Sequence, residues 1–205
     1  GDVTSGGVDV QLFTTGGRDE FAHGARTSLQ SIIAPLEALP CPTVAACHGV
    51  CLTAAFELAL ACDLIVAAEG TQFGLVEASL GLTPAMGGTQ RLAAKVGEAR
   101  AAELVLTSKL YDARTLHDWG AVTRVYDAER FTTSTRKFAA RLAEGPTRAH
   151  AATKQVLAAY RRGGIKAADA VVPDQAAALF DTDDLTAGIA SFLENGPGKA
   201  TFSGR

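Results

Sequence analysis

Two kinds of apolar spacing divide the chain: short unbroken apolar runs among helical stretches first, then helical spacing alone. Residues 1–18 are rich in Gly, Ser and Thr around a strand-like stretch, 8–13. Over 19–39 the apolar positions Phe21, Ala25, Leu29, Ile32, Ile33 and Leu36 share one helical face. Leu39-Pro40-Cys41-Pro42 stops that helix. Residues 43–47 read as a buried strand and 49–52 as a turn. An Ala/Leu-rich buried helix is predicted over 53–61, with Thr53 as its N-cap and Asp63 ending it. Residues 64–68 are apolar without alternation, as in a parallel sheet. Strand, helix and strand with short links predict a right-handed βαβ crossover. Residues 73–77 read as loop and short turn, and 83–88 as a loop opening a helix over 89–96. Helices over 99–106 and 113–119 and a strand over 122–126 follow. After Asp127 the pattern is helical: 129–143, 148–161, 165–180 and 183–193, then a Gly/Pro-rich tail. The expectation is an α/β part, 1–127, and a helical part, 128–205.

Composition narrows the function classes. The 205 residues suffice for one sizeable core. A net charge of −3 with no Lys/Arg run argues against nucleic acid, and an aromatic content of 6% against base-stacking platforms. The longest apolar stretch, 58–68, is too short to span a bilayer and contains Asp63. With no secretory signal either, a cytoplasmic, membrane-free protein is expected. Cys41, Cys47, Cys51 and Cys62 are expected to be buried free thiols in a reducing compartment, because their spacing does not suit a metal. The chain opens on Gly1 without Met, and a piece of a longer protein is expected.

Glu57 and Glu77 carry the candidate chemistry. Each lies in a mostly apolar segment, where a carboxylate needs a partner or a task. Glu57 follows the start of the 53–61 helix, whose first N–H groups lack intrahelical acceptors. Small residues there, Thr53-Ala54-Ala55, let a substrate oxygen approach the backbone. The N–H of Ala54 and the carboxylate of Glu57 can then face one cavity, as an oxyanion donor beside an acid/base. Taken alone, Glu57 also reads as a helix-capping glutamate. Glu77 alone also reads as a surface carboxylate, and Thr89-Gln90-Arg91 as an ordinary helix start, with Gly88 supplying an unusual backbone angle.

Four blocks in order, SGGVDVQLF (5–13), HGVCLTAAFELALACDL (48–64), FGLVEASLGLTPAMGGTQRL (73–92) and DLTAGIASFLENGPGKATFSG (184–204), resemble the crotonase (enoyl-CoA hydratase/isomerase) superfamily. The third block is the most specific. The resemblance implies an α/β fold, a crotonase-like spiral of ββα/βαβ units with a C-terminal all-helical trimerisation part. It implies an acyl-CoA thioester substrate, no cofactor beyond the CoA of the substrate, no metal, and a homotrimer or dimer of trimers. The oxyanion donors fall on the backbone N–H groups of Val8 and Ala54, and the catalytic glutamates on Glu57 and Glu77. Members with both glutamates resemble hydratases. Gly7, Val8, Asp9, Val10, Gln11 and Ala54 would touch substrate or CoA. Lys199 and Phe202 would reach a neighbouring subunit's CoA, or else form an ordinary solvated terminus.

This sequence departs from the family pattern twice. Thr53-Ala54-Ala55 stands where the family is glycine-rich, and an additional N-terminal strand region is absent from the sequence. A second register would place the oxyanion segment at Gly1-Asp2-Val3. Beside a hydratase, an isomerase, another reaction using the same oxyanion hole, or a catalytically weak CoA-binding or assembly subunit stays open.

Overall fold

Pro35 marks the first departure from the simple periodic reading. It has no N–H to donate to residue 31, and just before it the helical ladder widens into a π-type turn, Leu29–Ile33. Helices α1 (Leu12–Thr15), α2 (Arg18–Ser28) and α3 (Ala34–Ala38) complete this N-terminal helical region. The computed structural model describes the backbone of residues 1–205 and all side chains except those of Leu12 and Thr15. Two compact units result, Gly1–Ala38 with Thr43–Thr135, and Leu39–Pro42 with Arg136–Arg205.

The first unit holds two three-stranded sheets. Strand β1 (Val44–Cys47) is followed by β2 (Val50–Leu52), helix α4 (Ala54–Ala61), β3 (Leu64–Ala68) and β4 (Gln72–Gly74). After a 3-10 turn, Glu77–Leu80, come α5 (Gly88–Val96), α6 (Glu98–Thr107), β5 (Tyr111–Asp112), α7 (Ala113–Asp118) and β6 (Arg124–Tyr126). One sheet has the order β1-β3-β6, all parallel, with Val44 opposite Leu64 and Val66 opposite Arg124. In the other, β2 runs parallel to β4, and β4 antiparallel to β5. The unbroken apolar run of β3 is buried on both faces, as a parallel strand requires. Helix α4 buries Phe56, Ala59 and Leu60 in a core with Ile65, Phe73, Leu92 and Leu104. The rings of Phe56 and Phe73 lie 5.1 Å apart. Burying each ring contributes about 1.5–3 kcal/mol, so α4 is held mainly by packing.

Several expectations need correction. Residues 8–13 form no strand. Asp9 Oδ1 accepts from the Gln11 N–H and Thr14 Oγ1 donates to the Gln11 carbonyl, so local bonds turn the chain into α1. Residues 50–52 are not a turn: Gly49, at φ 64°, makes the turn alone and frees Val50–Leu52 to pair as β2. Residues 73–74 belong to β4 rather than a loop. Cys47 and Cys51 are buried free thiols, but Cys41 between two prolines is exposed and Cys62 half-buried.

Helix α8 (Phe131–Ala143) begins in the first unit, and the second unit is helical, with the rest of α8 followed by α9 (Thr147–Ala177) and α10 (Asp183–Asn195). The α9 span holds two helices, as expected over 148–180, separated by non-helical backbone at Gly163 and Gly164, where φ is −154° and 69°. Lys154 Nζ donates to the Cys41 carbonyl and ties the 39–42 segment to α9. Among the described residues, no helix is long and apolar enough to cross a membrane.

Candidate active site

The start of α4 is built against the N-terminal segment. Ser5 bridges in parallel to Cys51, with Ser5 N–H donating to Val50 (3.0 Å) and Leu52 N–H donating to Ser5 (3.1 Å). This pairing carries the following residues past the first turn of α4. The N–H of Thr53 donates to the Gly74 carbonyl at 2.9 Å, which pins the helix start to the end of β4. Thr53 adopts φ 48° and ψ −125°, a conformation that costs a non-glycine residue roughly 1–3 kcal/mol. Thr53 does occupy the N-cap position, but its side chain makes no capping bond, contrary to expectation. Its Oγ1 is instead buried without a partner and lies flush against Gly7, where a Cβ would collide with it.

A cavity of about 720 Å³ opens beside this junction. Gly6, Val8 and Val10 line it from the N-terminal segment, and Thr53, Ala54 and Glu57 from α4. Glu77, Leu80, Ala85 and Met86 form another wall, and Arg18, Glu20, Phe21 and Ala25 of α2 complete it. The walls are mostly apolar with few polar groups, the composition of a small-molecule site. Of the sequence candidates, Val8, Val10, Ala54, Glu57 and Glu77 share this cavity. Gly7, Asp9 and Gln11 are not among its walls: alternate residues face it, and Asp9 binds the Gln11 N–H instead.

Glu57 is only 2% exposed. Its Oε1 accepts two backbone N–H bonds, from Met86 and Gly88, both at 2.8 Å. Gly87 between them sits at φ 90°, which lets both N–H groups converge on one oxygen. Gly87, not Gly88, therefore has the unusual backbone angle. Gly88 serves by lacking a side chain: a Cβ there would lie 2.6 Å from Glu57 Cγ. Burial raises the pKa of Glu57, while the N–H groups of Gly88 and Met86 and the charge of Arg91 pull it down. Glu77, in the first residue of the 3-10 turn, is half-buried, and its Oε2 is buried without a partner. Burial raises its pKa, its own N–H opposes this, and the charge of Glu57 raises it further.

Arg91, Glu37 and Met86 were not singled out from the sequence. Arg91 Nε and Nη2 grip the Glu37 carboxylate at 2.9 and 2.7 Å, and Nη1 donates to the Gly87 carbonyl at 3.1 Å. One signal was available. Arg91 lies in the first turn of α5, where the helix dipole disfavours a cation, so a compensating partner was to be expected.

In the second unit, Lys199 is exposed. Phe202 lines an apolar pocket of about 330 Å³ with Leu185, Ile189 and Phe192. Asp184 Oδ1 accepts from the Ser203 N–H at 2.6 Å and holds the tail there. Among the described residues, no cluster of three or more His, Cys, Asp or Glu is arranged to hold a metal ion.

A family model described as "Enoyl-CoA hydratase/isomerase" matches residues 1–205. The 2,3-dehydroadipyl-CoA hydratase of Escherichia coli K12 is 35% identical over 161 residues, covering 78% of this chain and 63% of that protein. A crotonyl-CoA hydratase of Syntrophomonas wolfei is 32% identical over 165 residues, 80% of this chain and 64% of its own length. The chain thus spans a little under two thirds of these curated relatives. A crystal structure described as an enoyl-CoA hydratase subunit from Geobacillus kaustophilus superposes with a TM-score of 0.88 at 32% identity. It covers 100% of this chain and 78% of that one. Family match and fold likeness therefore agree, and the chain belongs to the enoyl-CoA hydratase/isomerase family.

Proposed function

We propose that the site adds water across the α,β-double bond of an acyl-CoA thioester. One observation carries this reading. Glu57 and Glu77 line one cavity with opposite support, Glu57 held by two N–H groups and Glu77 with an unpartnered buried oxygen. Environments that separate two carboxyls in this way assign one as base and the other as acid. The thioester carbonyl sits between the N–H groups of Val8 and Ala54, whose donors act most strongly as negative charge develops on oxygen. Ionised Glu57 takes a proton from water as the hydroxyl adds to the β-carbon. Protonated Glu77 gives its proton to the α-carbon. Glu57 then loses its proton and Glu77 regains one before the next turnover. The reading needs no cofactor, since CoA is part of the substrate.

A homotrimeric or dimer-of-trimers assembly is part of the same proposal. Phe192 and Leu193 of α10, at 59% and 80% exposure, support it as apolar surface for contact between copies. A reducing, cytoplasmic setting is supported by the unbridged Cys47 and Cys51.

Crotonyl-CoA hydration by the wild-type chain and by Glu77→Gln tests the function. Turnover is expected in the wild type and a loss of at least roughly 10²-fold in the variant. A folded wild type that binds the thioester without hydrating it sinks the reading and leaves a CoA-binding subunit.

A further inference from the structure

Glu57 owes its placement to a turn that it does not itself build. The turn Met86-Gly87-Gly88 supplies both N–H donors, and Gly87 adopts a left-handed angle to do so. Arg91 sits on the far side of that turn. Its Nη1 binds the Gly87 carbonyl, and the contact is so close that a Cβ on Gly87 would collide with the guanidinium. The rest of the guanidinium is gripped by Glu37 of α3 through two hydrogen bonds, with the side chains of both residues largely covered. A planar fork held at two points has little freedom to swing away.

We propose that Arg91 is a positioning residue, anchored by Glu37, which fixes the Met86–Gly88 turn and so the Glu57 carboxylate. This rests on the hydratase reading for its effect on rate, but not for its effect on Glu57 itself. The bracket has an electrostatic consequence. The charged groups facing Glu57 are Arg91 from α5 and Glu77 from the 3-10 turn, with Arg18 and Glu20 of α2 on the same cavity wall. Strands β1, β2 and β3 present neutral residues to α4, Cys47 and Cys51 among them. The Arg91 charge favours ionised Glu57, and Glu37 holds that charge at the turn.

Loss of either half of the bracket therefore acts on Glu57 in the same direction, Glu37 by way of Arg91. The experiment is a carbon-13 NMR titration of the Glu57 carboxyl in the wild type, Arg91→Gln, Arg91→Lys and Glu37→Gln, with crotonyl-CoA kinetics beside it. In Arg91→Gln the Glu57 midpoint rises, and kcat falls roughly tenfold to a hundredfold with KM little changed, as for a misplaced catalytic group. Arg91→Lys restores the charge without the fork, so the midpoint returns towards wild type while most of the kcat loss remains. In Glu37→Gln the guanidinium loses its anchor, and the midpoint and kcat move in the same directions as in Arg91→Gln by a smaller amount. A kcat loss in Arg91→Gln with the Glu57 titration unmoved overturns the proposal. So does a Glu37→Gln variant with the Glu57 midpoint shifted down and kcat unchanged. If Arg91→Gln does not fold, Glu37→Gln decides alone, and no upward shift there overturns the proposal. Failure of the hydratase reading shows separately, as no turnover in the wild type, and leaves the titrations interpretable.

Discussion

Glu57 and Glu77 line one cavity and are held in contrasting ways. Glu57, on a packed helix, is almost wholly covered, with two N–H donors on one oxygen and a cation behind the donor turn. Glu77, on a short 3-10 turn, leaves one oxygen without a partner, and its neighbour's charge discourages ionisation. Burial alone would push both carboxyls towards the neutral form. What separates them is the Met86–Gly88 turn. On the proposed mechanism, a backbone turn rather than a further charged side chain in the cavity therefore supports Glu57 as the base.

The sharpest way to break this comparison is to neutralise its anionic member. Glu57→Gln keeps the shape but removes the base, and kcat for hydration falls by roughly 10²–10⁴. Glu57→Gln/Glu77→Gln falls little further than the worse single variant, because the two act as a unit. Steady-state kinetics of all three variants checks both statements, and additive losses would show that the glutamates work independently. Next in size is Gly88→Ala. Its methyl would lie 2.6 Å from Glu57 Cγ, so kcat falls by roughly 10²-fold and stability by about 1–3 kcal/mol. Kinetics and urea unfolding measure the two effects.

A subtler test uses stability against pH. The pKa of Glu57 is higher folded than unfolded, because burial outweighs its donors. Its contribution to stability is complete below the unfolded carboxylate range and is lost as pH rises through the folded value. Glu57→Gln thus melts higher than wild type at neutral pH, and the difference vanishes in acid. Thermal melts across pH read this directly, and equal melting at neutral pH would contradict it. Smallest is Thr53→Gly. Removing the strained φ of 48° and an unpartnered buried hydroxyl raises stability by about 1 kcal/mol after the entropy cost of glycine, measured by urea unfolding.

The elements legible in the sequence were those long enough to show a period or a buried run. Strands β1 and β3, helices α4 to α7 and the helical second unit followed from apolar spacing and Gly/Pro punctuation. Strands β2, β4 and β5, two or three residues each, were not legible, because alternation cannot show over so short a length. Helix α1 was missed because Asp9 and Thr14 form bonds that periodicity does not register. At the site, Ala54, Glu57 and Glu77 could be named from their blocks. The Arg91–Glu37 bracket could not, since it joins residues 54 apart and depends on tertiary packing. The apolar pattern likewise gave no sign that Thr53 would be strained: propensity made it an N-cap, and the Gly74 carbonyl and Gly7 dictated otherwise.

The central claim is that Glu57 acts as the ionised partner and Glu77 as the proton donor. The pH profile of kcat/KM for crotonyl-CoA hydration, in the wild type and in Glu77→Gln, tests it most directly. The wild type should give a bell, with the acid limb set by ionisation of Glu57 and the alkaline limb by loss of the Glu77 proton. The residual activity of Glu77→Gln should keep the acid limb and lose the alkaline one. A flat wild-type profile, or an alkaline limb that survives Glu77→Gln, would contradict the account.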